Sequence, residues 1–259
     1  MDVMPLWMEW GIIGFSGLIF GSFVTLASYR LPRDEPVIIG RSRCPSCGRH
    51  LGLAALFPVF SWLLQRGKCR YCKTSISARY PLIELTQAAL FLAVYATHGI
   101  GLSSVWLMLL SVCLLIMVVV DFEWQIIPDE IQISLLVIGI LYHLSSDAAW
   151  LDIGISTAIG AAIGLGLRFG YRWLRRKEGL GWGDVKFLPI AGLWLADSWH
   201  WPPFLFFAGA WGIVTAIIWR MTGQGERFPF GPALAASLLM TLLIPSTPWF
   251  YSLLAQQYD

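Results

Sequence analysis

Charged residues are scarce in this chain, and their scarcity excludes an ordinary soluble domain. Only 13% of the 259 residues are Asp, Glu, Lys or Arg, whereas 57% are hydrophobic. Soluble domains typically carry about 25% charged residues. The composition therefore indicates an integral membrane protein. The 14 Trp residues fit the same class, because indole rings collect where the bilayer meets water.

The first apolar stretch lacks the features of a cleaved signal peptide. Residues 6–29 have no basic segment before them and no small-residue cleavage site. We therefore expect this stretch to remain as a membrane span.

Seven further stretches also approach the ~20 apolar residues that a spanning helix needs. The eight occupy residues 6–29, 81–98, 102–121, 130–146, 150–174, 184–198, 202–221 and 232–254. The sequence thus predicts an all-α polytopic membrane protein with about eight transmembrane helices, with a polar insert between the first and second.

Lys and Arg are absent from one side of this arrangement. All 18 lie on one side: ten in residues 30–79, six in residues 168–186, and Arg220 with Arg227. Short loops rich in Lys and Arg stay in the cytoplasm, so both termini are expected to be extracytoplasmic. The basic face would attract anionic headgroups of the lipid bilayer, and we expect no nucleic acid partner.

The chain has only five cysteines, and four of them form two CxxC pairs. Cys44 with Cys47 and Cys69 with Cys72 are separated by 21 residues. Two such pairs can place four thiolates at tetrahedral corners, which suits structural Zn²⁺. Disulfides are a weaker explanation in a reducing cytoplasm, and a redox pair or a site that has lost its metal stays open. Cys113, inside an apolar stretch, is expected to be a packing residue.

Ionisable residues at membrane depth are functional candidates, because they are costly there unless they face protein or water. Asp129 and Glu84 each follow a proline, and Pro128 is expected at the first helical position. In the first turn of a helix, their negative charge would be stabilised by the positive end of the helix dipole. Lys186 can extend to the interface. Asp121 has no such explanation, since the C-terminal end of a helix disfavours a negative charge.

Asp184 follows Gly181 and Gly183, which let the backbone bend and another chain approach closely. Two carboxylates brought together from separate helices would share a proton. One can take a proton from water while the other donates to a peptide carbonyl, giving hydrolysis without a metal. The helix ends favour Asp184 as the carboxylate and Asp121 as the acid, although such a pair titrates as a unit.

Two other functions are compatible with the same residues. A proton-coupled transporter also keeps acidic residues at membrane depth, and a metal-stabilised scaffold needs no chemistry. We find no internal repeat of the kind that transport predicts, and a scaffold does not explain Asp121. The chain also lacks a free-standing glycine-rich nucleotide loop, so the sequence identifies no residues of a cofactor pocket.

Several motifs resemble those of one family, the bacterial type IV prepilin peptidases, which are GxGD membrane aspartic proteases. The matching segments are GWGD at 181–184, DFEWQIIPD at 121–129, the cysteine insert with CPSC, PVFSWLLQRGKCRYC and ISARYPLIE, GSFVTLASYRLP at 21–32, and PFGP at 229–232. The resemblance covers nearly the whole chain.

The resemblance implies a bifunctional enzyme of the bacterial inner membrane, with its active site toward the cytoplasm. It would remove the basic leader from prepilins or type II secretion pseudopilins, then N-methylate the new N-terminus with S-adenosylmethionine. Asp121 and Asp184 would be catalytic, with support from Gly181, Gly183, Lys186, Asp129 and Glu84. Residues 1–29 would form the first span, 30–80 a cytoplasmic zinc domain, and 81–259 a seven-helix protease domain.

The chain departs from the family pattern at two positions. Thr25 stands where the family usually has asparagine, and Leu56-Phe57-Pro58 replaces the usual Asn-Ile-Pro. Asparagine can both donate and accept hydrogen bonds. Because both positions lie in the half associated with methyl transfer, we expect weaker methylation and unaffected cleavage.

Overall fold

Helices form the regular structure of this protein. The computed structural model describes residues 5–40, 42–52, 57–146, 148–176, 179–223 and 228–244. The helices are α1 (Leu6–Arg30), α2 (Phe60–Leu64), α3 (Arg79–His98), α4 (Leu102–Trp124), α5 (Asp129–Leu144), α6 (Trp150–Arg175), α7 (Trp182–Leu195), α8 (Trp201–Met221) and α9 (Gly231–Leu243), with a 3₁₀ turn at Leu31–Arg33. Within these described ranges, β pairing is limited to isolated bridges in the cysteine insert. The all-helical prediction is confirmed.

Each predicted apolar stretch overlaps one of the eight long helices found among the described residues, α1 and α3 to α9. In the part of the chain that the structure describes, four segments are long and apolar enough to cross a membrane: Leu6–Arg33, α4, α6 and α8. The chain is therefore a multi-pass helical membrane protein. Spans at α3, α5, α7 and α9 remain predictions, and residues 245–254 of the last predicted span lie outside the described residues.

Helix α4 occupies the centre of the bundle. Its most apolar 18-residue window is 72% buried, against 22% for α6 and 17% for α8. A helix that is apolar on all sides is stable when protein surrounds it, and α1, α3, α5 and α9 pack against α4. The C-terminal end of α4, where Asp121 lies, is thereby placed inside the protein.

Glycines let α1 and α3 approach to backbone contact. A Cβ atom on Gly17 would lie 2.6 Å from Ala88 Cα, and one on Gly21 would lie 2.5 Å from Glu84 Cα. Small residues at such crossings are the usual means by which membrane helices pack. The C-terminal end of α1 is consequently fixed beside the N-terminal end of α3, so both ends of the cysteine insert are held.

Glycines also let α6 and α7 approach to backbone contact. A Cβ atom on Gly160 would lie 2.3 Å from the Leu188 carbonyl oxygen, and one on Gly192 would lie 2.4 Å from the Ser156 carbonyl oxygen. On the opposite side of α7, Trp194 Nε1 donates a hydrogen bond of 3.0 Å to the Leu135 carbonyl of α5. Helix α7, which carries Asp184, is therefore held between α5 and α6.

Replacing Gly160 by Ala is expected to destabilise the protein, because the added methyl group would meet backbone rather than a movable side chain. Overpacking of this kind costs roughly 1–3 kcal/mol. The midpoint of heat denaturation in detergent should fall by several degrees. Gly154→Ala is the matched control on α6, since a Cβ there would meet no described atom within 4 Å. Equal midpoints for the two variants would contradict the packing described.

Candidate active site and metal centre

Asp121 lies in the last turn of α4 and is 6% exposed. As the sequence indicated, the carboxylate meets the negative end of that helix. The structure adds a compensating contact: the Gly231 backbone N–H donates a hydrogen bond of 2.8 Å to Asp121 Oδ2. Helix α9 begins at Gly231, so its positive end faces the carboxylate. Our sequence analysis missed this partner, although the PFGP motif at 229–232 marks it.

Gly231 lies so close to the Asp121 carboxylate that no side chain fits at position 231. A Cβ atom there would lie 2.7 Å from Asp121 Oδ2, well inside van der Waals contact. Because φ at Gly231 is not positive, the need for glycine at this position comes from space and not from backbone conformation.

Asp184 lies in the first turn of α7 and is half-buried, at the helix end that favours a negative charge. The two preceding glycines allow close approach, as expected. A Cβ atom on Gly181 would lie 3.1 Å from Asp184 Oδ2, and one on Gly183 would lie 3.0 Å from Ile127 Cβ. Neither glycine has a positive φ, and Gly181 is extended at the residue before α7.

The two aspartates line one pocket, of about 290 Å³. We call it the aspartate pocket. Its other walls come from the α4–α5 connection and the start of α7, and comprise Gln125, Ile126, Ile127, Asp129, Gly181, Trp182, Gly183 and Lys186. Two carboxylates from separate helices thus face the same space, with Asp121 buried and Asp184 more accessible.

Asp129 and Lys186 form an ion pair at the rim of this pocket. Lys186 Nζ lies 2.8 Å from Asp129 Oδ1 and 3.0 Å from Oδ2. Both side chains are exposed, and an exposed pair contributes about 0–1 kcal/mol. Lys186 therefore has a protein partner and does not simply extend to the interface. Pro128 is the residue before α5 and not its first helical residue, so that expectation was wrong by one position.

Glu84 does not lie in the first turn of a helix, because α3 begins at Arg79. The explanation offered by its neighbouring proline is therefore wrong. Glu84 is 7% exposed and accepts a hydrogen bond of 2.7 Å from the Val59 backbone N–H. It lines a different pocket, between the cysteine insert, α1 and α3, that we call the insert pocket.

The structure brings Cys44, Cys47, Cys69 and Cys72 together. Their four Sγ atoms all lie within 4.8 Å of one another, and Cys44 Sγ is 3.9 Å from Cys72 Sγ. Sulfurs of a tetrahedral zinc site are about 3.8 Å apart, given Zn–S bonds of about 2.3 Å. All five cysteines are described and are free thiols, including Cys113, which is buried in α4 as expected.

The two CxxC turns have the same backbone hydrogen bonds. In each, the N–H of the first cysteine donates to the carbonyl five residues later, and the N–H four residues later donates back to that cysteine. Gly48 and Lys73 occupy equivalent positions, with φ of +68° and +60°. Two turns of the same backbone geometry therefore direct their thiols toward one point.

The thiols differ in how readily they ionise. Contacts with Thr74 lower the pKa of Cys72 to about 6. At Cys47 the Arg49 backbone N–H favours the thiolate, but desolvation and the neighbouring Cys44 outweigh it and raise the pKa to about 11. A bound cation would remove this competition, since metal coordination deprotonates a thiol outright. The four cysteines therefore have the chemistry of a metal site.

Arg79 connects the cysteine insert to the end of α4. Its guanidinium is ion-paired with Glu123, two residues after Asp121, and its Nη2 donates a hydrogen bond of 2.9 Å to Ser28 Oγ. The ends of α1, α3 and α4 therefore meet at one side chain. The insert and the aspartate pocket consequently lie at the same end of the bundle.

Fold and site together define a class: a multi-pass helical membrane protein with paired carboxylates at one end of its bundle and, beside them, four clustered cysteines that could hold a metal ion. Residues 15–98 match the bacterial peptidase A24 N-terminal domain, and residues 108–219 match the type IV leader peptidase family. The first range contains the four clustered cysteines, and the second contains both Asp121 and Asp184. The chain belongs to the type IV leader peptidase family.

Relatives that match this chain over nearly its full length share one name, prepilin leader peptidase/N-methyltransferase. A protein of Aeromonas hydrophila is 31% identical, over 92% of this chain and 91% of the relative. One of Pectobacterium carotovorum subsp. carotovorum is 32% identical, over 90% of this chain and 92% of the relative. One of Dichelobacter nodosus is 32% identical, over 89% and 90%. No solved structure matches the chain at a significant level.

The purified protein is expected to contain one equivalent of bound metal ion, held by the four clustered cysteines. Replacing Cys44 and Cys69 by Ser should remove it, because two of four thiolate ligands are lost. Elemental analysis of the purified protein measures the metal content. Cys113→Ser is the control, since that thiol lies in α4 outside the cluster. A metal content that is the same in both variants would contradict this assignment.

Proposed function

We propose that this protein cleaves the leader peptide from type IV prepilins or type II secretion pseudopilins and N-methylates the residue that cleavage exposes. Its family and the shared name of its relatives support both activities. The observation that carries the peptidase activity is the aspartate pocket, which Asp121 and Asp184 line from different helices.

Peptide hydrolysis in this pocket follows from acid–base chemistry. One carboxylate removes a proton from water as the water oxygen bonds to the scissile carbonyl carbon, and the other carboxyl group gives its proton to the carbonyl oxygen. The resulting gem-diol collapses as the C–N bond breaks. The leaving amine takes up a proton from the protonated carboxyl group, and one hydroxyl group of the gem-diol gives its proton to the other carboxylate. The two side chains exchange roles, and neither forms a covalent bond with the substrate.

The two aspartates share one proton in this proposal. Asp184 lies in the first turn of α7, where the positive end of the helix stabilises its charged form, as the sequence suggested. Asp121 has the Gly231 N–H at the start of α9, which the sequence analysis did not include. Each carboxylate thus has a helix N-terminus behind it, so the assignment of Asp121 as the acid is weaker than the sequence implied.

All eight long helices cross the bacterial inner membrane in the proposed topology, with both termini extracytoplasmic. The distribution of Lys and Arg supports this orientation. The Arg79–Glu123 ion pair supports a cytoplasmic active site, because it ties the basic insert to the end of α4 that carries Asp121. The chain then divides into a first span at 1–29, a cytoplasmic zinc domain at 30–80 and a protease domain at 81–259.

Zinc is the metal that we assign to the four clustered cysteines. Four thiolates give a closed tetrahedral site without an open position, so the ion would be structural. Hydrolysis by the aspartates needs no metal. Losing the ion should therefore impair the insert more than the hydrolytic chemistry itself.

S-adenosylmethionine is the proposed methyl donor, and when bound it supplies a methyl group on a positively charged sulfur. The proton-coupled transporter left open by the sequence receives no support from the family or the relatives.

Changing Asp121 or Asp184 to Asn should each abolish leader cleavage, because either change removes a proton carrier. General acid–base catalysis contributes about 10²–10⁴-fold to a rate, so losses of at least that size are expected. A synthetic prepilin in detergent or lipid provides the assay. Asp129→Asn, at the rim of the same pocket, should retain measurable activity. Equal loss in all three variants, or full activity in either of the first two, would overturn the assignment.

Gly231→Ala should lower leader cleavage roughly tenfold to a hundredfold, as expected from losing a buried hydrogen bond of about 1–3 kcal/mol. The added methyl group would displace the Asp121 carboxylate from the Gly231 N–H. Turnover rates measured against Gly209→Ala give the comparison, because a Cβ on Gly209 would meet no described atom within 4 Å. Wild-type turnover in Gly231→Ala would show that this contact does not support the site.

A further inference from the structure

Gln132 of α5 is a buried residue whose side-chain amide has no partner in the described part of the chain. It is 4% exposed, and neither its Nε2 nor its Oε1 forms a hydrogen bond with any residue that the structure describes. Buried side-chain amides are nearly always paired, because a polar group that leaves water without a new partner is costly. The acid–base chemistry of the aspartates does not use this side chain. Its burial without a partner therefore indicates that the amide binds a ligand.

The Gln132 side chain lies on the face of α5 that packs against α7. Asp129, on this face, forms an ion pair with Lys186 of α7. A Cβ atom on Gly139 would lie 2.7 Å from Leu193 Cδ2 of α7. With 3.6 residues per turn, Gln132 lies between these two contacts, about 60° from Asp129 and about 20° from Gly139 around the helix axis. The amide is therefore directed toward α7.

The position of Gln132 along α5 places it just below the aspartate pocket. Asp129 on α5 and Lys186 on α7 are the deepest residues of these two helices that line the pocket. Gln132 follows Asp129 by three residues, which is about 4.5 Å farther into the bundle at about 1.5 Å per residue. Beyond it, the Leu135 carbonyl accepts a hydrogen bond from Trp194 Nε1, so the two helices are in direct contact there. Gln132 thus lies between the pocket and the closed part of the α5–α7 interface.

A primary amide is complementary to the backbone of one extended residue. The amide offers both N–H donors and a carbonyl acceptor, and the N–H and C=O of an extended residue point to the same side of the chain. A peptide bond that is open to attack by two carboxylates is not enclosed in a helix, so the substrate backbone beside it has unpaired N–H and C=O groups. At membrane depth such groups need protein partners, because lipid offers none. The amide of Gln132 supplies both the donor and the acceptor.

We propose that Gln132 binds the backbone of the substrate, with its amide paired to the N–H and C=O of the second residue after the scissile bond. This assignment rests on the proposed peptidase activity. A basic leader stays on the cytoplasmic side, so the mature part of the substrate extends past the aspartates into the bundle. An extended chain advances about 3.3–3.6 Å per residue, so an offset of about 4.5 Å from the scissile bond lies nearest to the second residue.

Gln132→Met tests the assignment in the full-length protein, because methionine keeps the length of the side chain and removes the amide. The amide has no described partner in the free protein, so the midpoint of heat denaturation in detergent should stay the same or rise. The KM for a synthetic prepilin should rise roughly tenfold, as for the loss of a hydrogen bond to the substrate. The kcat should change little, because the bound substrate and the transition state lose the same contact.

Gln87 of α3 offers the matched control. It is also fully buried, but its Nε2 donates a hydrogen bond of 2.9 Å to Ser111 Oγ. Gln87→Met should therefore lower the midpoint of denaturation and leave KM unchanged, which is the reverse of the result expected at Gln132. An unchanged KM in Gln132→Met would overturn the assignment, whatever the midpoint of that variant.

A change in the substrate tests the contact itself. Replacing the N–H of the second residue after the scissile bond by an ester oxygen should raise the KM of wild type roughly tenfold. The same ester should have no further effect on Gln132→Met, because that variant has already lost the contact. An ester at the third residue is the control and should leave KM unchanged, since its N–H points to the other side of an extended chain.

Equal effects of the ester at the second residue on wild type and Gln132→Met would contradict the contact, and so would no effect on either. If wild type still removes the leader in that case, the proposed peptidase activity stands and only the role of Gln132 is wrong. If wild type removes no leader from any prepilin, the proposed activity fails and this assignment fails with it.

Discussion

The hydrogen bond from the Gly231 N–H to Asp121 is the contact on which the proposed site depends. It allows a carboxylate to remain at the C-terminal end of a buried helix, where the helix dipole disfavours a negative charge. The contact requires α9 to begin beside the end of α4, and it requires a glycine as the first residue of α9. The central position of α4, the packing of α9 against it and the PFGP motif can all be understood from this requirement.

Asp184 is placed by a different means, through backbone contact between helices. Glycines at 160 and 192 seat α7 against α6, and Gly183 lets the α4–α5 connection pass within contact distance of the start of α7. The aspartate pocket therefore depends on small residues distant from the chemistry. Packing of this kind suits a membrane protein, because lipid supplies no hydrophobic force to press helices together. The insert is held by equivalent glycine contacts between α1 and α3. A metal ion bound by its four clustered cysteines would order a segment that has little apolar core of its own.

The sequence predicted the helices well, because apolar stretches near 20 residues depend on local composition alone. It also identified Asp121, Asp184 and the four clustered cysteines as candidates. It could not show that Gly231 contacts Asp121, because 110 residues separate them and the PFGP motif does not indicate which side chain its backbone N–H faces. Glu84 was misjudged for a similar reason: the start of α3 was placed too late, and its partner at Val59 comes from the folded insert. The sequence shows which residues are apolar or charged, whereas contacts between distant segments determine what surrounds them in the fold.

The central claim is that Asp121 and Asp184 act on the same peptide bond. It is tested most directly by the structure of the Asp184→Asn variant with an uncleaved prepilin bound in lipid. Our account predicts that the scissile carbonyl oxygen lies within hydrogen-bond distance of the side chains at positions 121 and 184, with the basic leader on the side of the cysteine insert. A substrate whose scissile bond lies outside the aspartate pocket, or contacts only one of the two side chains, would contradict it.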